Sequence, residues 1–378
     1  MRLRNEAAAP LQRGPIDPWL LLAAVLLLLV GEVMVFNTTY FYAFERFGQP
    51  FRFVWKHQLA LLLGVSGLLI AATLPSATYR RLAYPALLAA FFGLLVVLIP
   101  GVTHGSVRRW IALGPLNFQP SELAKGAVAL YLAHSMARKA DRIAHFFYGL
   151  LPYLLVVGCA AVLIAIEPDL GGAAVLSLML LAFLFVSGAR KWHLGALTAC
   201  GVVLLVVGIV IAPYRMQRIL GFLHVEENKL TIGYQLNQSI IAVGAGGLTG
   251  VGLGESRQKM LFLPEAHTDF IFAVIGEETG LLGAGVVLFL FALLGARGLR
   301  VAARHPQPFG SLLAFGCTFL LVGQAVLNMA VVLGLLPTKG LPLPFISYGG
   351  SALIMAMVYT GVLLSLSRET WRENQVYA

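Results

Sequence analysis

The stretch from Trp19 to Phe36 reads WLLLAAVLLLLVGEVMVF and carries a single charge, at Glu32. Coiled as an α-helix it is ~27 Å long, close to the thickness of a bilayer's hydrocarbon core, and it is apolar on every face. Such a helix belongs in lipid. Runs of the same kind recur at about 57–74, 82–100, 120–137, 146–166, 170–187, 192–212, 270–296, 310–336 and 344–367, which predicts ten transmembrane helices. The composition agrees, because 59% of the 378 residues are apolar and only 12% are charged, about half the charged share of a soluble domain. A mean hydropathy of +0.83 excludes disorder. The expected fold is an all-α polytopic membrane protein, a single membrane domain over residues 1–378.

An even number of spans puts both termini on one side. That side holds fifteen Lys and Arg residues in its short loops and tails; the other holds six, leaving out a long loop at 213–268, so the termini are expected in the cytoplasm. The net charge of +10 is then explained by orientation, and nucleic-acid binding is excluded. The first span follows Arg2, Arg4 and Arg13 and has no small-residue cleavage site after it, so it is read as a retained anchor. Cys159, Cys200 and Cys317 all lie in apolar runs without metal or disulfide spacing.

Charge within or beside a membrane span is costly, so each instance needs a partner or a task. Asn117-Phe118-Gln119-Pro120-Ser121-Glu122-Leu123-Ala124-Lys125 opens a span, with Pro120 at the first helical position and Glu122 in the first turn, where the helix dipole favours an acid. Glu122 and Lys125 share a face. They are either a self-neutralising pair or an ammonium held one turn below the outer surface for an anionic substrate. Arg108 and Arg109, beside Trp110, are either an interfacial anchor or two more cations on that face. In the turn Glu167-Pro168-Asp169, both carboxylates sit at the outer interface and Asp169 is suited to cap the next helix. Glu32 has no partner that the sequence identifies.

The long loop ends with Leu263-Pro264-Glu265-Ala266-His267-Thr268-Asp269-Phe270-Ile271-Phe272. From Asp269 to Arg297 a continuous helix would be ~42 Å long, more than the bilayer core, so it is expected to tilt or protrude. Asp269 would then stand near the headgroups with Glu277 and Glu278 just beneath. Asp269 is either an N-cap or, with Glu277, Glu278 and His267, part of an acid, base or cation site. The glycines from Gly244 to Gly254 are not a nucleotide loop, since no strand precedes them and no Lys-Ser/Thr pair ends them. The apolar residues of the loop predict that it lies over the spans.

Five of these segments, in order, resemble one family: Gln119-Pro120-Ser121-Glu122-Leu123-Ala124-Lys125, Glu167-Pro168-Asp169-Leu170-Gly171, Gly233-Tyr234-Gln235, Leu263 through Ala273, and Pro342-Leu343-Pro344-Phe345-Ile346-Ser347-Tyr348-Gly349-Gly350-Ser351. They are similar to the SEDS (shape, elongation, division, sporulation) proteins of bacteria. Gln235, the run Gly252 to Lys259, Ala266 and Pro337-Thr338-Lys339-Gly340 look like the division branch of that family rather than the elongation branch. Two positions depart from the pattern, His224-Val225 in the long loop and Ala352 after Ser351.

The resemblance implies a glycosyltransferase that polymerises lipid II, with undecaprenyl pyrophosphate as leaving group, at the outer face of the bacterial cytoplasmic membrane and at the division septum. It implies a class B penicillin-binding transpeptidase (FtsI type) and other division proteins as partners. It makes Asp269 the catalytic acid or base and a candidate ligand for a divalent cation, Mg or Mn, with no organic cofactor. Lys125, Glu122, Arg108, Arg109, Asp169 and Ser347 become candidates for holding the substrate or its pyrophosphate. Two rivals stand beside this reading. A lipid II flippase would need cations deep in the inner half of the spans, where the sequence has none, and a scaffold for the division machinery would leave Glu122, Lys125 and Asp269 unexplained.

Overall fold

The computed structural model describes residues 14–99, 109–139, 142–211, 213–225 and 227–370. In chain order the elements are α1 (Pro18–Phe47), α2 (Arg52–Thr73), α3 (Ser76–Val97), a hairpin of β1 (Ile111–Leu113) and β2 (Leu116–Phe118), and α4 (Pro120–Arg138). A π turn (Phe146–Leu150) then leads into α5 (Leu151–Ile166), followed by α6 (Leu170–Val186), α7 (Lys191–Val210), α8 (Pro213–Leu223) and α9 (Tyr234–Gly246). The rest is α10 (Ile271–Arg304), α11 (Pro308–Thr318) continuing through a π turn (Phe319–Gly323) into α12 (Gln324–Val332), and α13 (Gly350–Glu369). Among the described residues eight helical segments are long and apolar enough to cross a membrane, and the molecule is a multi-pass membrane protein. α6, with 17 residues, is a shorter apolar helix; α4, with 19, carries Glu122, Lys125 and Arg138.

The described ends of the chain meet. The amide of Gly14 donates to the Arg368 carbonyl at 2.9 Å, and Asp17 both caps α1 and pairs with Arg297 of α10 at 2.6 Å. At the same end the Ser76 amide donates to Glu369, which also faces His305, and Arg80 donates to Gln307. The connections between α2 and α3 and between α10 and α11 are thereby tied to the last helix. The opposite end gathers the β-hairpin, the 167–169 turn, the 263–270 segment and the chain from Leu336 to Gly349.

α10 differs from the single tilted rod expected from its length. It breaks at Gly280, whose φ of 64° and ψ of −163° suit glycine alone. A break frees backbone groups that lipid cannot satisfy, and here the chain from Gly247 to Gly252 supplies the partners. Val251 and Gly252 donate to the carbonyls of Glu277 and Glu278 at 3.0 and 3.1 Å, while Leu281 and Leu282 donate to those of Gly247 and Leu248. The approach is so close that a Cβ on Gly250, itself at φ 82°, would lie 2.1 Å from the Glu278 carbonyl oxygen. The glycines of the long loop thus serve backbone contact.

Two helix ends also shift from expectation. α1 runs on to Phe47, with Thr38 and Thr39 bonding back to the carbonyls one turn earlier, and stops at Gly48 in the left-handed region. α13 begins at Gly350 rather than near 344, since Pro342 and Pro344 cannot donate to a helix and Phe345 sits at φ 66°. Within the long loop α9 packs on α10, and Ser239 donates to the Val332 carbonyl at 2.7 Å.

Candidate functional site

The site is built around the segment 265–270, which turns tightly so that the Thr268 and Phe270 amides both reach the Glu265 carbonyl. Three successive carbonyls are then held from outside it. Tyr348 N–H donates to His267 O at 2.9 Å, Ser347 Oγ to Thr268 O at 2.5 Å, and Asn328 Nδ2 to Asp269 O at 2.8 Å. The backbone of Asp269 is fixed by α12 and by the chain before α13. Its carboxylate is left over. α10 starts at Ile271 with Phe270 in the capping position and no side-chain cap, and the Asp269 carboxylate accepts no hydrogen bond from a described residue. Gly340 lies against it: a Cβ there would stand 2.9 Å from Oδ2.

Asp169 plays the capping role instead. Its Oδ1 accepts from Gly172 N at 2.9 Å, and its Oδ2 lies 3.5 Å from Gln119 Nε2 and Ser121 Oγ at the start of α4. Burial first, then the charges of Glu265 and Asp169, push the Asp269 carboxyl up to about 7, against the opposing pull of Arg218 and Arg109. Asp269, Asp169, Arg109 and Arg218 therefore form one electrostatic neighbourhood. Lys339 joins it through Asp169, with burial lowering its affinity for a proton.

The remaining candidates from the sequence fall into distinct places. Arg109 donates Nε to the Glu167 carbonyl at 2.7 Å and a terminal nitrogen to the Pro168 carbonyl, strapping the turn that presents Asp169. Lys125 is 2% exposed and its ammonium is shared by Glu122 Oε1 at 2.8 Å and Gln324 Oε1 at 2.7 Å, which is the self-neutralising arrangement. Gln324 passes that order on by donating to the Pro342 carbonyl. Ser347 is committed to the backbone, accepting from Leu343 N in its own loop and donating to Thr268 O across to the 265–270 segment. Arg108 lies outside the described residues. Glu32 pairs with His57 of α2 at 2.9 Å.

Glu277 and Glu278 do not join Asp269. They lie about two turns further along α10, in a second polar cluster, where Glu277 accepts from Ser256 Oγ and the Arg257 amide, and Glu278 accepts from Lys259 Nζ at 2.9 Å and Asn37 Nδ2 at 2.5 Å. His267 packs at 4.9 Å against Tyr42 and 5.9 Å against Tyr348, and burial lowers its proton affinity. The four-residue acid, base or cation site read from the sequence is thus divided, and no group of three or more metal-ligating side chains is found among the described residues. Residues not singled out beforehand enter instead: Gln119, Arg218, Gln324, Asn328 and Lys339. Lys339, alone between Pro337 and Gly340 in an apolar stretch, was the one legible signal.

Glu167 is fully buried with both carboxylate oxygens unpartnered. Burial, then repulsion from Asp169, push it up to about 8 despite Arg109. A carboxyl raised above its unfolded value of 4.5 binds a proton that the unfolded chain releases, so its contribution to stability is lost as pH rises from about 4.5 and levels off above about 8. Glu167→Gln should remove this slope, roughly 1 kcal/mol per pH unit, and should melt higher than wild type at pH 8.5. Melting curves in detergent from pH 6 to 9 check it; parallel curves for the two proteins would show that Glu167 is ionised when folded.

Residues 18–372 match the model of the FtsW/RodA/SpoVE family, described as cell cycle proteins. The chain belongs to this family. Among its FtsW/RodA/SpoVE relatives is a protein of Geobacter sulfurreducens named probable peptidoglycan glycosyltransferase FtsW, 42% identical over 353 residues, covering 93% of this chain and 95% of the relative. The stage V sporulation protein E of Bacillus subtilis is 39% identical over 354 residues, covering 93% and 97%. Among solved family structures, a chain from a peptidoglycan synthase complex that coordinates polymerization and crosslinking superposes with a TM-score of 0.77 at 30% identity, covering 95% of this chain and 99% of that one. The rod shape determining protein RodA of Thermus thermophilus superposes at 0.70 with 28% identity, covering 95% and 98%.

Proposed function

We propose that the protein is a peptidoglycan glycosyltransferase that polymerises lipid II at the outer face of the bacterial cytoplasmic membrane, for septal wall synthesis in cell division. The observation that carries this reading is the Asp269 carboxylate, locked in place through its backbone, free of any described hydrogen-bond donor, and set among Arg109, Arg218, Lys339 and Asp169. The name of the Geobacter sulfurreducens relative supports it. The proposed topology is ten spans in one membrane domain, made by the eight long helical segments with α4 and α6, with the termini in the cytoplasm and 213–268 outside. The charge count and the pairing of Gly14 with Arg368 support that arrangement.

In this mechanism the acceptor's 4-hydroxyl attacks the anomeric carbon of the donor. Its proton passes to the Asp269 carboxylate, a C–O bond forms, and the bond to pyrophosphate breaks with its electron pair leaving on the phosphate oxygen. A carboxyl that titrates near 7 is suited to taking that proton, since about half of it is ionised at pH 7 and it is far more basic than an ordinary carboxylate. The developing charge on pyrophosphate is met by Arg218, Lys339 and Arg109, while Asp169 orders the rim of the site. Glu122 and Lys125, which neutralise each other, position the chain before α13 through Gln324. Asp269, whose carboxylate is uncommitted, would be the residue to hold a divalent cation (Mg or Mn), which would supply neutralisation of leaving-group charge.

Lipid II placed in the outer leaflet of proteoliposomes tests the reading. A polymerase converts it to glycan strands; transfer of intact lipid II between leaflets without strands would mean a flippase, and neither would leave a scaffold.

A class B transpeptidase with one span could reach the lipid-facing side of α10. Along that helix Phe289 is 65% exposed and Phe291 is 2% exposed. Phe289→Ala is expected to weaken co-purification of the transpeptidase while leaving the melt unchanged, whereas Phe291→Ala should destabilise the bundle by about 3–5 kcal/mol. Equal co-purification of the Phe289→Ala variant would place the partner on another face.

A further inference from the structure

A second site lies at the end of the bundle where the termini meet, far from Asp269 in the fold. A cavity of about 460 Å³ opens there between α3, α4 and the turn before α5, lined among the described residues by Tyr84, Ser135, Arg138, Lys139 and Arg142. Ala140 and Asp141 are outside the described residues; with Asp141 counted, the stretch 138–142 still carries three cations against one acid. None of the three cations has an ion-pair partner among the described residues.

The turn that carries Arg142 is tied through its backbone. Arg142 O accepts from the His145 amide and His145 O from the Gly149 amide, and the π turn at Phe146–Leu150 comes so near that a Cβ on Gly149 would stand 2.0 Å from the Arg142 carbonyl oxygen. Two of the lining residues, Tyr84 and Ser135, carry hydroxyl groups. Ser135, 4% exposed, lies 3.5 Å from the hydroxyl of the fully buried Tyr153, and Tyr131 is wedged between the rings of Tyr84 and Tyr153. Hydroxyl groups beside three cations that have no ion-pair partner among the described residues suit a phosphate diester with a polar headgroup. In the turn that follows Arg142, Phe147 and Tyr148 are 71% and 73% exposed, an aromatic surface of the kind that sits at a bilayer interface next to acyl chains.

We propose that this cavity is a binding site for the phosphate headgroup of an anionic phospholipid of the cytoplasmic leaflet. Arg138, Lys139 and Arg142 neutralise the phosphate, and Ser135 and Tyr84 hydrogen-bond the headgroup. A lipid rather than a soluble phosphate is favoured because the cavity lies at the ends of transmembrane helices and the turn that follows Arg142 exposes the rings of Phe147 and Tyr148. The proposal rests on the orientation given above and not on the transferase reading. It is tested by binding alone, so loss of polymerisation would leave it standing, and a reversed orientation would appear separately as external labelling of a cysteine placed at position 142.

The test uses full-length protein in neutral detergent, titrated with short-chain phosphatidylglycerol, short-chain phosphatidylcholine or inorganic phosphate, with bound lipid read by native mass spectrometry and by melting temperature. Wild type should bind phosphatidylglycerol at least tenfold more tightly than phosphatidylcholine. Arg138→Gln combined with Arg142→Gln should weaken that binding roughly 10- to 30-fold, the loss expected for two interfacial cations. Arg300→Gln with Arg304→Gln removes the same charge from the other cavity at this end, which also holds the acid Asp17, and should leave binding unchanged. Equal affinity for the two lipids, equal loss in both double variants, or stabilisation by inorganic phosphate as strong as by the lipid would overturn the proposal. If Arg138→Gln/Arg142→Gln does not fold, Lys139→Gln alone should weaken phosphatidylglycerol binding several-fold, and no change there would count equally against it.

Discussion

Asp269→Asn is expected to lose lipid II polymerisation by roughly 10²-fold or more while keeping expression, melting temperature and transpeptidase binding. The separation is sharp because the three contacts that fix this segment are all made to backbone carbonyls, those of His267, Thr268 and Asp269, which the substitution leaves in place. Asn fills the same space against Gly340, and no cap is lost because the Asp269 side chain caps nothing. What disappears is a group able to take a proton. Since burial and neighbouring acids raise the carboxyl to about 7, the wild-type rate should also fall about tenfold per pH unit below that value, as the protonated fraction grows. Near wild-type strand synthesis by Asp269→Asn, or a rate flat from pH 5 to 8, would assign the proton transfer elsewhere.

The second large effect is expected at the break in α10. Lys259→Met leaves Glu278, 1% exposed, without the ammonium that lies 2.9 Å from it, and removal of one partner from a buried pair costs about 3–5 kcal/mol. Asn37 and the Ser256 amide would still donate to Glu278, so the cluster weakens without dissolving. Lys259→Met combined with Glu278→Gln removes both charges and should recover most of the stability, because an uncharged pair needs no compensation. Melting temperatures of the two single variants and the double variant close the cycle. An additive double variant would show that the pair is not coupled and that the broken helix is held by its backbone bonds alone.

The positions of the spans were legible because hydropathy senses burial in lipid directly, and the runs found in the sequence overlap the long helices from α1 to α13. Local chemistry was legible too: Pro120 starts α4, Asp169 caps α6, and Glu122 pairs with Lys125 three residues on. What periodicity could not register is a single residue in a left-handed conformation. Gly280 lies within a run apolar enough to pass for continuous helix, yet the helix breaks there and the chain from Gly247 to Gly252 bonds to the freed backbone groups. Glu32 had no partner in sequence because His57 is on another helix. The same reason hid Gln324 and Asn328, polar residues in an apolar span whose tasks lie in loops brought to them by the fold. For Asp269 the sequence left two roles open, and the absence of any side-chain cap on α10 favours chemistry.

The central claim is that this chain makes glycan strands and that the Asp269 carboxylate is required for it. Purified wild-type protein and Asp269→Asn, each incubated with labelled lipid II with and without the class B transpeptidase, answer it when the products are resolved by length on a gel. The account predicts a ladder of strands from wild type in the presence of the transpeptidase and unreacted lipid II from Asp269→Asn under the same conditions; no ladder from wild type with its partner present, or equal ladders from both proteins, would contradict it.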